Sequence, residues 1–158
     1  ESKRSLSCFL ACSRQGMRVF HITTSRSRNF VRLNPCDPDL AANWTYTPKP
    51  VVAPNTPKLP FRCEGKTKVF ELTAQEVFSN FDNNWEAGSV YTWGYNGSNP
   101  APVIETLEGE SVKIIFKNEL PEPTTIHWHG FELPFNMDGA SGHSQNPVKP
   151  GKSFEYSC

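Results

Sequence analysis

The 158-residue sequence predicts an all-β fold, a sandwich or barrel of short strands, with an irregular N-terminal extension. Several segments alternate between apolar and polar side chains, which is the period of a half-buried strand. Turn residues, mainly Gly and Pro, separate these segments at short intervals, and no window shows a convincing helical period. Short strands punctuated in this way are typical of β-sandwiches and barrels.

Six segments between residues 68 and 157 carry this prediction. The clearest is SVKIIFKN (111–118), in which Val112, Ile114 and Phe116 share one face. SVYTWGYNG (89–97) is rich in β-branched and aromatic residues and ends in Asn96-Gly97, a hairpin turn signal. The other four segments are KVFELTAQEVF (68–78), PVIETL (102–107), TTIHWHG (124–130) and KSFEYS (152–157).

The region before these strands divides into two parts. Residues 1–45 have no steady period, and their first 32 residues carry seven basic side chains against Glu1 alone. Residues 46–60 contain five prolines, which indicates an extended linker or a strap along a domain surface. We therefore place the folded domain at residues 61–158, with its boundary near Phe61.

The basic N-terminal region allows several interpretations. SLSCFLAC resembles the end of a secretory signal, whereas the Arg- and Ser-rich segment from Met17 resembles an organelle transit peptide. Met17 could instead be the true start, or the region could be a disordered basic tail. Whether residues 1–60 belong to the mature protein stays open. No apolar run approaches the roughly 20 residues needed to cross a bilayer, so no transmembrane segment is expected.

Charge and cysteine content narrow the function classes. The formal net charge is zero and the chain beyond residue 32 is mildly acidic, so no nucleic-acid partner is expected. Five cysteines, at positions 8, 12, 36, 63 and 158, show no metal-site spacing. A disulfide through Cys36 or Cys63 is possible, but the sequence alone does not assign the partners.

Two histidines in TTIHWHG are candidate metal ligands. If this segment is a strand, His127 and His129 lie on one face, roughly 6.6 Å apart at their Cα atoms, while Ile126 and Trp128 face the core. Two imidazoles at this spacing can converge on one metal or hold two neighbouring metals, and imidazole suits zinc, copper, nickel and iron. An isolated His-x-His is more often a pair of surface histidines, so the flanking sequence decides between these interpretations.

The flanking segments are TWGYNGSNPAPVIETLEGESVKIIFKNELPEPTTIHWHG (92–130) and MDGASGHSQNPVKPGKSFEY (137–156). Together they resemble the N-terminal cupredoxin domain of multicopper oxidases, the family of laccases, ferroxidases and copper-efflux oxidases. The resemblance covers about residues 68–156 and implies a cupredoxin-like Greek-key sandwich or barrel, incomplete at its C-terminus. Asn146 stands where many plant and fungal laccases have a cysteine, so the bacterial-type pattern is closer. Ala101 replaces the glycine of the family's Pro-Gly-Pro, a mild departure.

The resemblance implies a role for each candidate residue. His127 becomes a ligand of the type 2 copper, and His129 a ligand of one copper of the type 3 pair. In the family these three coppers form the cluster that reduces dioxygen to water, with electrons taken from a reducing substrate such as a phenol or a metal ion. Asp138 matches the acidic residue that assists proton delivery, although it could simply form a turn before Gly139. We expect His143 to be a solvated loop histidine.

The same resemblance indicates a fragment, because the chain holds only one of the family's four histidine motifs. Cys158 does not replace the type 1 copper cysteine, since no histidine or methionine follows it. We expect an extracellular (secreted) or periplasmic parent completed by the remaining cupredoxin domains of the same polypeptide, with the fragment alone inactive. Two alternatives stay open: a non-catalytic cupredoxin-like module for copper binding or protein contact, and a copper nitrite reductase-like protein.

Overall fold

The computed structural model describes residues 5–11, 17–22, 36–42, 53, 56–80, 88–107 and 109–158; residues 5–11, 17–22 and 41–42 are described by their backbone alone. The predicted all-β fold is confirmed, because this part of the chain holds nine strands, one five-residue helix and one 3-10 helix. Much of the basic N-terminal region and of the Pro-rich segment lies outside the described residues. None of the described helices is long and apolar enough to span a membrane.

The elements follow one another along the chain with short connections. The strands are β1 (Ser5–Ala11), β2 (Met17–Ile22), β3 (Phe61–Glu64), β4 (Thr67–Asn80), β5 (Ser89–Tyr95), β6 (Ile104–Leu107), β7 (Ser111–Asn118), β8 (Ile126–His127) and β9 (Ser153–Ser157). The helix α1 covers Pro38–Ala42, and the 3-10 helix covers Phe135–Met137. Five of the six predicted strands coincide with β4, β5, β6, β7 and β9, whereas TTIHWHG forms only the two-residue strand β8.

The strands form two sheets, and neither closes on itself. One sheet has the order β3-β4-β7-β9, with β5 paired to the second half of β4. The other has the order β6-β1-β2-β8. Only the pairs β4–β7 and β2–β8 are parallel. The structure also contains β1, β2 and α1 within residues 1–45, where no side-chain period indicated them. The two strands pair through their backbone groups, and this pairing needs no side-chain period.

The core lies between the inward faces of these strands. On β7 the predicted face of Val112, Ile114 and Phe116 is buried, with exposed fractions of 5%, 4% and 0%. Phe116 packs beside Tyr95 of β5 and Tyr156 of β9, with ring centroids 6.5 and 6.4 Å apart. The predicted turn after β5 is also present: Asn96 and Gly97 have positive φ angles, and Tyr95 and Ser98 exchange two backbone hydrogen bonds.

Residues 36–39 are attached to this domain by a disulfide and by ion pairs. Cys36 is bonded to Cys63 of β3, which assigns the disulfide that the sequence left open. The Cys36 N–H also donates to Oε1 of Glu110, at 3.0 Å. Lys66, in the turn between β3 and β4, pairs with Asp37 and Asp39. This segment therefore packs on the end of the sheet that holds β3 and β7.

Glu110 is the centre of a buried polar network at that end. Its Oε2 lies 2.6 Å from the Lys68 ammonium, and the two side chains are 0% and 3% exposed. The Thr106 hydroxyl and the Leu107 N–H also donate to Oε2. Burial by itself would raise the pKa of the Glu110 carboxyl, but these hydrogen bonds outweigh it and hold the pKa below its ordinary value.

The end of the Pro-rich segment runs beside the second sheet. Leu59 donates its N–H to the Val103 carbonyl, and the Val103 N–H donates to the Pro57 carbonyl, each at 2.8 Å. Leu59 is 4% exposed and belongs to the core. In the described part of the segment, the chain therefore lies along the start of β6.

Candidate metal centre

The two histidines lie where β8 ends and the chain turns. Ile126 and Trp128 are 0% and 5% exposed, so both face the core as predicted. The strand stops at His127, and the Phe131 N–H bonds back to the Trp128 carbonyl at 3.2 Å across a turn in which Gly130 has a φ of 84°. The predicted strand is therefore too long: His127 is its last residue and His129 lies in the turn, although the alternation of buried and more exposed residues continues through both histidines.

The turn nevertheless keeps the two imidazoles close together. Their ring centroids are 5.6 Å apart, and the ring planes are nearly perpendicular, at 88°. The His127 side chain is 33% exposed, and His129 is exposed. Two imidazoles at this separation can converge on one metal or hold two neighbouring metals.

His127 is held through one of its two ring nitrogens. Its Nδ1 lies 2.8 Å from the backbone carbonyl oxygen of Asp138 and 3.4 Å from the Asp138 carboxylate. Because a carbonyl oxygen only accepts, Nδ1 carries the proton and donates it in this hydrogen bond. The neutral ring then has its lone pair on Nε2, and this arrangement is the one that metal-binding histidines commonly adopt.

The backbone at Asp138 and Gly139 is packed tightly against β8. The 3-10 helix ends at Met137, and Asp138 follows it as the C-cap; the Asp138 carbonyl also accepts the Trp128 N–H at 3.4 Å. Gly139 has a φ of 73°, and a Cβ there would lie 1.5 Å from the Ile126 carbonyl oxygen. A side chain cannot fit, so glycine is required for Asp138 to reach His127.

Asp138 is placed for both of the roles that the sequence left as alternatives. It forms the turn before Gly139, and its carboxylate also lies beside His127. The Asp138 side chain is 32% exposed, so it can exchange protons with water. Whether it delivers protons in a reaction stays a prediction.

Tyr156 is a second contact of β8 that the sequence did not indicate. Its hydroxyl accepts the Ile126 N–H at 3.0 Å, although Tyr156 belongs to β9 in the opposite sheet. The alternation in KSFEYS indicates that Tyr156 faces the core, but it does not show which group the hydroxyl contacts. The close approach of Gly139 was likewise hidden, because no local pattern reveals a contact with a strand that ends twelve residues earlier.

His143 lies in an exposed turn, where its N–H donates to the Ala140 carbonyl at 3.0 Å. Within the residues that the structure describes, no three His, Cys, Asp or Glu side chains come together in a group that could hold a metal ion. The chain therefore offers two imidazoles, one with a free Nε2. This donor set fits copper in kind, but it is short of a full coordination shell.

Comparison with known proteins identifies the family. A profile of the family described as "Multicopper oxidase" matches residues 80–158, half of the chain. The chain belongs to the multicopper oxidase family. Membership of this family implies copper as the metal, and the match contains both histidines and Asp138.

The relatives include proteins of known structure. The chain is 38% identical over 87 residues to a copper resistance protein A homolog of Pseudomonas syringae pv. tomato, covering 55% of this chain and 14% of that protein. A multicopper oxidase of Campylobacter jejuni, described as a metallo-oxidase, has a TM-score of 0.55 and 34% identity over 65% of this chain and 21% of its own. A multi-copper oxidase of Pseudomonas thermotolerans has a TM-score of 0.50 and 38% identity, covering 58% of this chain and 22% of its own.

These figures also show how much of a multicopper oxidase is present. The chain spans 14% of the copper resistance protein A homolog and 21–22% of the two oxidases of known structure. The shared fold is that of the cupredoxin domains of these oxidases.

Proposed function

We propose that His127 and His129 are copper ligands in a larger oxidase, His127 binding the type 2 copper and His129 one copper of the type 3 pair. The main support is the hydrogen bond of 2.8 Å from His127 Nδ1 to the Asp138 carbonyl, which leaves Nε2 for a metal. The two ring centroids are 5.6 Å apart, which brings both imidazoles to one end of β8. The assignment of the two histidines to separate coppers follows the match of TTIHWHG to the family's His-Trp-His-Gly motif. Family membership supplies the identity of the metal.

The proposed reaction couples one-electron oxidation of a reducing substrate, a phenol or a metal ion, to the reduction of dioxygen to water. Bound copper would supply the electron transfer and the binding of dioxygen. The reduction of each dioxygen molecule to water consumes four protons, so the site needs a group that delivers protons. We assign this delivery to Asp138, whose carboxylate is one-third exposed and lies 3.4 Å from His127 Nδ1.

Trp128 and Ile126 hold the ligands in place by packing into the core on either side of His127. Asp138 contributes through its backbone as well, because its carbonyl fixes which nitrogen of His127 carries the proton. We infer an extracellular or periplasmic location for the parent protein. The Cys36–Cys63 disulfide supports this location, because disulfides persist mainly in oxidising compartments.

A second candidate function is a non-catalytic module that binds copper or another protein. It is favoured by the lack of a third converging ligand in the part of the chain that the structure describes. The two candidates differ in their chemistry: the oxidase consumes dioxygen once the rest of the polypeptide is present, whereas the module binds Cu(II) without consuming dioxygen.

The histidine assignment can be tested by titrating the chain with Cu(II). The wild type should bind Cu(II), and the double variant His127→Ala/His129→Ala should lose this binding. His143→Ala is the matched control, because it removes an exposed histidine 14 residues further along the chain and should leave the binding unchanged. Identical uptake by the wild type and the double variant would show that the pair is not a copper site.

A further inference from the structure

Tyr156 is placed to control the position of His127. Its ring is 2% exposed and packs edge-on to Trp128, with ring centroids 5.4 Å apart. Its hydroxyl accepts the N–H of Ile126, the residue directly before His127, at 3.0 Å. We propose that Tyr156 is a positioning residue for the metal ligand His127, acting through this hydrogen bond to the backbone of β8. The inference rests on the proposed function, because it assumes that His127 is a ligand.

The hydrogen bond has no simple substitute at this point of the structure. Ile126 is 0% exposed, so water does not replace the hydroxyl as an acceptor for its N–H. A buried N–H that loses its acceptor is costly, and the local backbone moves to find another. Because β8 is only two residues long, such a movement includes His127.

The bond also joins the two sheets. Tyr156 belongs to β9 in the sheet of β3, β4 and β7, whereas β8 lies at the edge of the other sheet. Phe116 and Phe154 pack against the tyrosine ring, at centroid distances of 6.4 and 4.7 Å, and fix where the hydroxyl lies. The well-packed sheet that contains β9 therefore helps to fix the position of His127, in addition to its own short strand.

The hydroxyl stays protonated at all ordinary pH values. Burial raises the pKa of Tyr156 to about 12, although hydrogen bonds from the Ile126 N–H and the Gln145 side chain act in the opposite direction. A neutral phenol can accept the Ile126 N–H without adding a charge beside the histidine pair. The hydrogen bond from the Ile126 N–H to the Tyr156 hydroxyl is therefore present over the whole pH range in which the protein would bind copper.

Three contacts thus hold three successive residues. The Tyr156 hydroxyl holds the Ile126 N–H, while the Asp138 carbonyl holds both the His127 ring and the Trp128 N–H. The second and third contacts come from the same turn, so they move together if that turn shifts. Tyr156 lies in β9, outside that turn, and gives β8 a further fixed point beside the turn and the pairing with β2.

The variant Tyr156→Phe tests this role, because it keeps the ring and removes only the hydroxyl. Tyr95→Phe is the matched control: Tyr95 is 1% exposed and lies beside Phe116 at 6.5 Å, as Tyr156 does, but it belongs to β5. Cu(II) affinity and the EPR spectrum of the copper-loaded chain are measured for all three proteins. Tyr156→Phe should bind Cu(II) about 10–100-fold more weakly and change the copper hyperfine splitting, while Tyr95→Phe should do neither. Unchanged affinity and an unchanged spectrum in Tyr156→Phe would overturn the inference.

Amide hydrogen exchange of Ile126 in the metal-free chain gives a second measurement. The Ile126 amide should exchange slowly in the wild type and in Tyr95→Phe, and at least about 10-fold faster in Tyr156→Phe. If the wild type takes up no Cu(II) through the histidine pair, the proposed function fails, whereas the exchange rate still shows whether the Tyr156 hydroxyl holds the backbone of β8. If Tyr156→Phe does not fold, the exchange rate of the Ile126 amide in the wild type is the test. Rapid exchange there would contradict a hydrogen bond to the Tyr156 hydroxyl.

Discussion

Gly139→Ala should damage the candidate metal centre far more than the same change three residues later. Gly139 and Gly142 have nearly the same backbone conformation, with φ angles of 73° and 78°. A Cβ at Gly142 would meet nothing within 4 Å, whereas a Cβ at Gly139 would lie 1.5 Å from the Ile126 carbonyl oxygen. Gly142→Ala therefore measures the cost of the left-handed backbone, and Gly139→Ala measures that cost together with the steric conflict.

The difference between the two variants can be estimated from the structure. The left-handed conformation costs each variant about 1–2 kcal/mol. An ordinary contact needs roughly 3.5 Å, so Gly139→Ala forces the turn and β8 apart by roughly 2 Å. That shift breaks the hydrogen bond between His127 Nδ1 and the Asp138 carbonyl. Overpacking costs about 1–3 kcal/mol and the lost bond about 1 kcal/mol, so Gly139→Ala should be less stable than Gly142→Ala by about 2–4 kcal/mol.

Chemical denaturation of the metal-free chain measures this difference, and Cu(II) titration measures its effect on the site. Gly139→Ala should bind Cu(II) at least about 10-fold more weakly than Gly142→Ala, because His127 has lost the partner that fixes its proton on Nδ1. Equal stability and equal Cu(II) affinity of the two variants would show that the turn does not hold His127, and would refute this account of the site.

Two further predictions concern the region around Cys36. Glu110→Gln should lower the free energy of unfolding at pH 7 by about 3–5 kcal/mol in chemical denaturation, because it leaves the buried Lys68 ammonium without its carboxylate. Since the pKa of Glu110 is lowered in the folded state, its contribution is present above the ordinary glutamate pKa of 4.5 and is lost as the pH falls through the lowered value. An acid titration of stability should show this loss in the wild type and not in Glu110→Gln; parallel curves would contradict it. Replacing both Cys36 and Cys63 by serine should cost about 3 kcal/mol, because the disulfide closes a separation of 27 residues. A thermal melt with and without reductant checks this, and a wild type that is insensitive to reductant would count against it.

Much of the fold could be predicted from the sequence, because β-strand alternation is a local property. The alternation in SVKIIFKN predicts β7 to the residue, and the Asn96-Gly97 turn is present as expected. The strands β1 and β2 gave no such signal, since their pairing with β6 and β8 depends on backbone groups far apart in the chain. The partner of Cys36 was equally hidden, because a disulfide depends on which residues the fold brings together.

The candidate site was predictable in its residues but not in its geometry. The motif around His127 and His129 gave the pair, and the acid-Gly pair gave Asp138. The prediction that the strand continues through both histidines failed at Trp128, where the chain leaves β8 and turns through Gly130. Contacts made by backbone atoms, such as the Asp138 carbonyl on His127, leave no mark on side-chain patterns, so they required the structure.

Trp128 gives the chain an optical reporter at the point where copper is proposed to bind. Its indole is buried, and the residues on either side of it in the chain are the two candidate ligands, His127 and His129. Indole emission is quenched over short distances by a paramagnetic ion with visible absorption, and Cu(II) is such an ion. Filling of the site should therefore reduce the emission of Trp128, so copper occupancy can be followed by intrinsic fluorescence without any added label.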